Sequence, residues 1–297
     1  MEHEENLVQS AFSLLFHTVL FRPYVFIFFL IYLTGCSLHF GLKRAILFAV
    51  TGYLITWLSE YSSIHNGIPY GHYYYIEHTR GKEIWVLGVP FMDSLSYVFL
   101  AYASYSMALV VISPIRRSKG LIQILETKKI RHSPSARILG AIFMVYLDII
   151  IDPVALRGDR WYLGQIYGYP EGGVYFGVPI SNFIGWFVVG FILVYALQRI
   201  DKILDDKKAR DYFGCYCPWR SLIGPALYCA VLIFNLFITF SIHEYTLGWV
   251  GIFIVLLPSV LLLSAMWSRL SPDNLSSETL SSSQGFSPGG DCSARET

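Results

Sequence analysis

Seven apolar stretches run through most of this 297-residue chain, near residues 24–41, 45–61, 94–113, 136–153, 178–198, 221–242 and 247–267. Each approaches the roughly 20 residues a helix needs to cross the hydrocarbon core of a bilayer. Composition agrees: mean hydropathy is +0.49, with 54% hydrophobic against 14% charged residues, a balance that excludes an ordinary soluble domain. The expected fold is therefore all-α, an integral membrane protein of about seven transmembrane helices occupying residues 24–267. Residues 1–23 are expected to form an N-terminal interfacial segment. Their apolar part, 7–21, is separated from the first stretch by Arg22-Pro23, and either lies along the interface or extends the first helix. The acidic start, Met1-Glu2-His3-Glu4-Glu5, does not read as a signal peptide. Residues 268–297 are rich in Ser, Gly and Pro and read as a disordered tail.

One pattern occurs twice. An apolar helix ends in a carboxylate, an aromatic and glycine-rich loop follows, and Gly-Val-Pro opens the next helix. The first copy has Glu60 and Gly88-Val89-Pro90, and the second has Asp148, Asp152 and Gly177-Val178-Pro179. The triplets are 89 residues apart, and Glu60 precedes Asp148 by 88. This predicts a parallel internal repeat with halves near 45–113 and 136–198, and one site at the interface between them.

Charge sets the orientation. With seven spans, loops 42–44, 114–137 and 199–220 share one side with the tail, and together they hold 17 of the 22 Lys and Arg. The positive-inside rule makes that side cytoplasmic. The N-terminus and both aromatic loops, 61–93 and 153–179, then face outward, in a bacterial inner membrane. The runs Arg116-Arg117-Ser118-Lys119 and Lys128-Lys129-Ile130-Arg131 read as topology signals and lipid-headgroup contacts, not as a nucleic-acid interface.

Helix rise turns spacing into depth. Asp148 stands about 16 Å above the cytoplasmic boundary at Arg137, near the middle of a core about 30 Å thick. Asp152, Glu60 and Asn182 fall at about 22, 24 and 25 Å, one layer beneath the outer surface. Asp93 lies higher. Asp148 and Asp152 share a helix face, because positions i and i+4 align. Helix capping accounts for such residues singly: Asp152 before Pro153 reads as a helix end and Asp93 as a cap. It does not account for Asp148 near the midplane. Two carboxylates this close in a low dielectric do not both ionise cheaply. A pair that holds a proton in a dry site can donate it.

Trp57, Tyr61, Tyr70, Tyr73, Tyr74, Tyr75, Trp85, Tyr97, Trp161, Tyr162, Tyr175 and Trp186 surround that layer. Some belong to the interfacial belt; others can turn ring faces inward toward a cation. His65, His72 and His78 share the first loop, but their spacings of 7 and 6 match no helical metal-ligand pair. The five cysteines, Cys36, Cys215, Cys217, Cys229 and Cys292, form no zinc set.

Together, Trp57-Leu58-Ser59-Glu60-Tyr61-Ser62-Ser63, Gly67-Ile68-Pro69-Tyr70-Gly71-His72-Tyr73, the two Gly-Val-Pro triplets, Asp148-x-x-x-Asp152-Pro153 and Ile180-Ser181-Asn182-Phe183-Ile184-Gly185-Trp186 resemble the bacterial and archaeal carotenoid-biosynthesis membrane proteins, over roughly residues 24–267. That family includes carotenoid 1,2-hydratases acting on γ-carotene-type and bacterioruberin-type precursors. The resemblance implies cofactor-free addition of water to the terminal double bond of an acyclic carotenoid. It also implies a lipophilic carotenoid as substrate, and membrane lipid and other carotenoid-pathway enzymes as partners. No nucleotide, flavin or haem motif is present. The residues themselves suggest Asp152 as the acid with Asp148 as its partner, and Glu60 or Asp93, with Asn182, positioning water; these roles can exchange. Trp57, Tyr61, Tyr70, Tyr73, Tyr97, Trp161 and Trp186 are the candidates for holding the substrate. Two rivals stand beside this reading. Asp148-x-x-x-Asp152 also resembles the diphosphate–magnesium motif of polyprenyl transferases, although no second aspartate-rich motif accompanies it. A seven-helix transporter or receptor for an apolar ligand would also keep acids within the membrane.

Overall fold

A computed structural model describes residues 13–118, 121–205 and 219–269. The predicted tail beyond 269, with Cys292, lies outside them, as do Cys215 and Cys217. Helices occupy all the apolar stretches. α1 is Ser13–Phe21 and α2 Pro23–His39, with Pro23 at the first helical positions, where its missing N–H costs nothing. α3 is Leu42–Asn66, closed by Gly67 in the left-handed region at φ 75°. α4 is Phe91–Ile112, and α5 a single turn, Lys128–Arg131. α6 is Pro134–Ala155, its N-terminus capped by Ser133. α7 is Ile180–Asp205, α8 Ile223–Ser241 and α9 Tyr245–Arg269.

The expected count of seven spans is not reproduced. Among the described residues, five helices are long and apolar enough to cross a membrane, and a sixth is added if α1 and α2 form one broken span. In α9, Tyr245–Leu256 registers as an apolar helix shorter than a span. The two readings of the N-terminal apolar segment resolve into a helix bent by 92° from α2. It therefore does not extend α2 as a straight rod.

α4 is the axis of the bundle. Tyr97 through Val110 form an unbroken buried run, as expected for a helix that is apolar all round and enclosed by others. Around it α3, α2, α8, α6 and α7 each touch the next, and α7 returns to α3, closing a ring; α9 packs outside against α8 and α6. Small residues allow the close approach. A methyl group at Gly224 of α8 would sit 2.2 Å from the Ser106 hydroxyl of α4.

The two aromatic loops meet over one end of this bundle. Tyr74–Tyr75 (β1) pairs antiparallel with Tyr167–Gly168 of the second loop, Tyr74 opposite Gly168 and Tyr75 opposite Tyr167. Each Gly-Val-Pro triplet sits in the same tight turn. Val86 pairs with Val89 across Leu87 and Gly88, and Tyr175 bridges Val178 across Phe176 and Gly177. All four central residues have positive φ, 50° and 87° in the first turn and 49° and 95° in the second. The glycines are needed there because positive φ carries no penalty for them.

Arg22, at the α1–α2 bend, ties three distant segments together. It is fully buried, pairs with both carboxylate oxygens of Glu83 in the first loop, and donates to the Leu163 carbonyl in the second.

Two local expectations are corrected. Asp152 is not a helix end, because α6 continues through Pro153 to Ala155. Asp93 does not cap α4: the cap position is Pro90 and carries no side-chain bond.

Candidate functional site

Beneath the joined loops lies a cavity of about 910 Å³, counting the part open to the outside. Apolar and aromatic side chains form most of its wall, and its acidic groups come from three helices. Asp152 comes from α6, Asp93 from the first turn of α4, and Glu60 from the last two turns of α3.

α6 and α7 build the densest polar group. Asn182, in the first turn of α7, donates through one Nδ2 to Asp148 Oδ2 and Asp152 Oδ2, at 2.8 Å each. Asp152 also accepts from the Tyr167 hydroxyl at 2.5 Å and from the Tyr169 hydroxyl at 2.8 Å. Three donors thus converge on Asp152, which faces the cavity. Asp148 lies a turn deeper with no exposed surface, its carboxyl within hydrogen-bonding reach of that of Asp152. Burial, and then the nearby Asp152 charge, push the Tyr167 and Tyr169 phenols well above their usual range. The second loop therefore presents two proton-bearing donors.

The second polar group lies on α3 and α4. Ser94 donates a short bond to Glu60 Oε2, and the Tyr75 hydroxyl donates to Asp93 Oδ2 at 2.6 Å. Tyr73 extends that chain to Tyr75 at 3.4 Å. The Tyr73 ring also meets those of Tyr167 and Tyr169 edge-on, at 6.1 and 6.2 Å. A tyrosine cluster therefore spans the distance between the acids of α4 and those of α6. Tyr97 of α4 and Trp186 of α7 stack at 4.3 Å and 17°, and both line the cavity.

Of the residues singled out by sequence, Glu60, Tyr70, Tyr73, Asp93, Tyr97, Asp152, Trp161, Asn182 and Trp186 line the cavity. Asp148 stands directly behind Asn182. Trp57 and Tyr61 do not line it. They stack on each other along α3, and the Trp57 Nε1 donates to the Val86 carbonyl. Among the described residues, no three His, Cys, Asp or Glu side chains are placed to hold a metal ion. Tyr167, Tyr169 and Ser94 were not singled out. The tyrosines follow Pro153 by 14 and 16 residues in an irregular loop, where no periodicity indicates direction. Ser94 is one position from Asp93 and one helical step from notice.

An aromatic-lidded, carboxylate-lined cavity inside a bundle of helices long and apolar enough to cross a bilayer points to a membrane protein with an enclosed polar site. A family model described as carotenoid biosynthesis protein matches residues 14–263, and the chain belongs to that family. It is similar to a bisanhydrobacterioruberin hydratase from Haloarcula japonica, 27% identical over 197 residues. That match covers 64% of this chain and 58% of the relative, so less than two thirds of the relative's length is represented. No solved structure matches.

Proposed function

We propose that the protein hydrates the terminal 1,2 double bond of an acyclic carotenoid end group without a cofactor. The observation that carries this reading is the Asp148–Asn182–Asp152 constellation at the cavity wall, with Asp93 and Glu60 lining the same cavity. The pair on α6 holds one proton, and Asp152, facing the cavity, delivers it to C-2 of the substrate. The π electrons form the new C–H bond and leave a tertiary cation at C-1. The faces of Tyr97, Trp186 and Tyr73 stabilise that cation. Water held by Asp93 or Glu60 adds its oxygen to C-1, and the proton it loses passes to that carboxylate. The tyrosine cluster between the two acid groups is a route for returning it to the α6 pair. The sum is one water added, with no electrons gained or lost. A hydratase name on the distant relative and membership of a carotenoid-biosynthesis family support the substrate class. Trp57 and Tyr61 would then support α3 from outside the cavity.

The two helix–loop–helix units read as a parallel repeat, supported by the matching Leu87-Gly88 and Phe176-Gly177 turns. The site would face outward from a bacterial inner membrane, with the N-terminus outside and the C-terminus cytoplasmic. Other carotenoid-pathway enzymes are the natural partners.

The test uses membranes containing the protein, an acyclic-end carotenoid and heavy-oxygen water, without dioxygen and after chelator treatment. The expected product is a tertiary alcohol with labelled hydroxyl. A hydroxyl oxygen taken from dioxygen would overturn the acid mechanism. Unchanged pigment from folded protein would favour a carrier or receptor.

A further inference from the structure

We propose that the seam between α2 and α8 is the lateral portal through which a flat, conjugated, apolar chain reaches the carboxylates. The inference rests on the acyclic-carotenoid reading of the cavity. Four of the five seams in the ring around α4 are cross-linked by polar groups. The Tyr32 hydroxyl of α2 donates to the Ala45 carbonyl of α3 at 2.6 Å. Arg44 of α3 pairs with Asp201 of α7 at 2.7 Å. Asn182 of α7 bridges the α6 acids, and Arg137 of α6 donates to Gln198 of α7 at 3.0 Å. The Tyr228 hydroxyl of α8 donates to the Phe143 carbonyl of α6 at 3.0 Å. Among the described residues, no side-chain hydrogen bond or ion pair joins α2 to α8.

That seam is held by rings at the site end. Tyr24 stacks on Phe234 at 5.3 Å and 20°, and Phe28, one helical turn along α2, meets Phe234 edge-on at 5.7 Å. Trp161 closes over both Tyr24 and Phe234. These four rings line the cavity, and each is only half-buried. Just outside them Ile27, Ile233 and Phe237 are 56%, 67% and 67% exposed, an apolar surface continuous with the seam. At the far end the same two helices are locked: a methyl group at Gly35 would sit 2.6 Å from Ile223 Cγ2. The seam is therefore built to part at the site end and stay closed at the other.

A conjugated chain suits this opening. Carbon atoms in contact lie about 3.5–4.0 Å apart, so a planar polyene between the Tyr24 and Phe234 faces needs them roughly 7–8 Å apart. That is a shift of about 2 Å from the present stacking, a small displacement by the standard of helix shifts. Parting replaces a ring–ring contact with two ring–polyene contacts and breaks no polar bond. The end group then enters the cavity while the polyene remains between the helices and extends into lipid.

The test places a photoreactive benzophenone amino acid at Phe237 of α8, or at Leu54 of α3, which is equally lipid-type and 55% exposed. Each full-length protein, in vesicles containing an acyclic carotenoid, is irradiated and its adducts are measured by mass spectrometry. Several-fold more adduct at position 237 than at 54 is the expected result. Equal labelling, or labelling at 54 alone, overturns the portal. Hydration is measured in parallel with unmodified protein, so the two readings fail separately: seam labelling without hydration keeps the portal and removes the hydratase assignment.

Discussion

At the scale of single residues, Asp152 combines contact with the cavity, a second acid behind it, and three hydrogen-bond donors. The Asp152→Asn variant keeps the size of the side chain but has no proton of useful acidity to give. Proton transfer by a positioned group contributes about 10²–10⁴-fold to a rate. Hydration by Asp152→Asn should fall by that order in protein that remains folded, as read by pigment mass spectrometry; near-normal turnover would remove Asp152 as the acid. The Asp148–Asp152 pair was legible in sequence because helical periodicity fixes which side chains share a face. So was Asn182, because distance from a basic boundary gives depth along a regular helix. Tyr167 and Tyr169 were not legible, since they come from a loop whose path is set by pairing with Tyr74 and Tyr75, a long-range contact that no local pattern encodes. Trp57 is the opposite case, a residue singled out by sequence that does not line the cavity. Spacing along a helix does not say which way a side chain turns, and the Trp57 indole NH is taken by the Val86 carbonyl.

At the scale of elements, the helices were readable from apolar stretches, and the departures have local causes. Pro153 does not stop α6, since membrane helices tolerate proline where neighbours satisfy the freed backbone groups. Pro225, which lies inside an apolar stretch of the sequence, falls in the first turn of α8, where its missing N–H removes no intrahelical bond. The contact between α7 and the first loop depends on Gly185. A methyl group at Gly185 would lie 2.5 Å from Tyr70 Cδ1 and 2.8 Å from the Pro69 carbonyl oxygen. Overpacking of this kind costs about 1–3 kcal/mol. Gly185→Ala should therefore lower the thermal midpoint of the detergent-solubilised protein. It should also weaken hydration by displacing Tyr70 from the cavity wall. An unchanged midpoint would show that the loop yields freely.

At the scale of the whole molecule, the site lies at one end of the bundle, and the proposed orientation puts that end outside. With the native cysteines changed to serine, a cysteine replacing the exposed Lys82 or Glu171 should react with an impermeant thiol reagent in intact cells. One replacing Lys128, also exposed, should react only after lysis; the reverse pattern would invert the orientation. The ring of helices around α4 was not foreseeable, because periodicity tells a helix which face is apolar but not which partner covers it. The Arg22 clamp adds a constraint on assembly in time. Its guanidinium is made among the first residues of the chain, yet its carboxylate partner lies 61 positions later and its carbonyl partner 141 positions later. Until the second loop has been synthesised as far as Leu163, that cation has no completed nest, so the clamp on the roof forms only after the acids of α3, α4 and α6 have all been made. A nascent chain therefore passes through a stage in which Glu60, Asp93, Asp148 and Asp152 all exist but the clamp above them is still open.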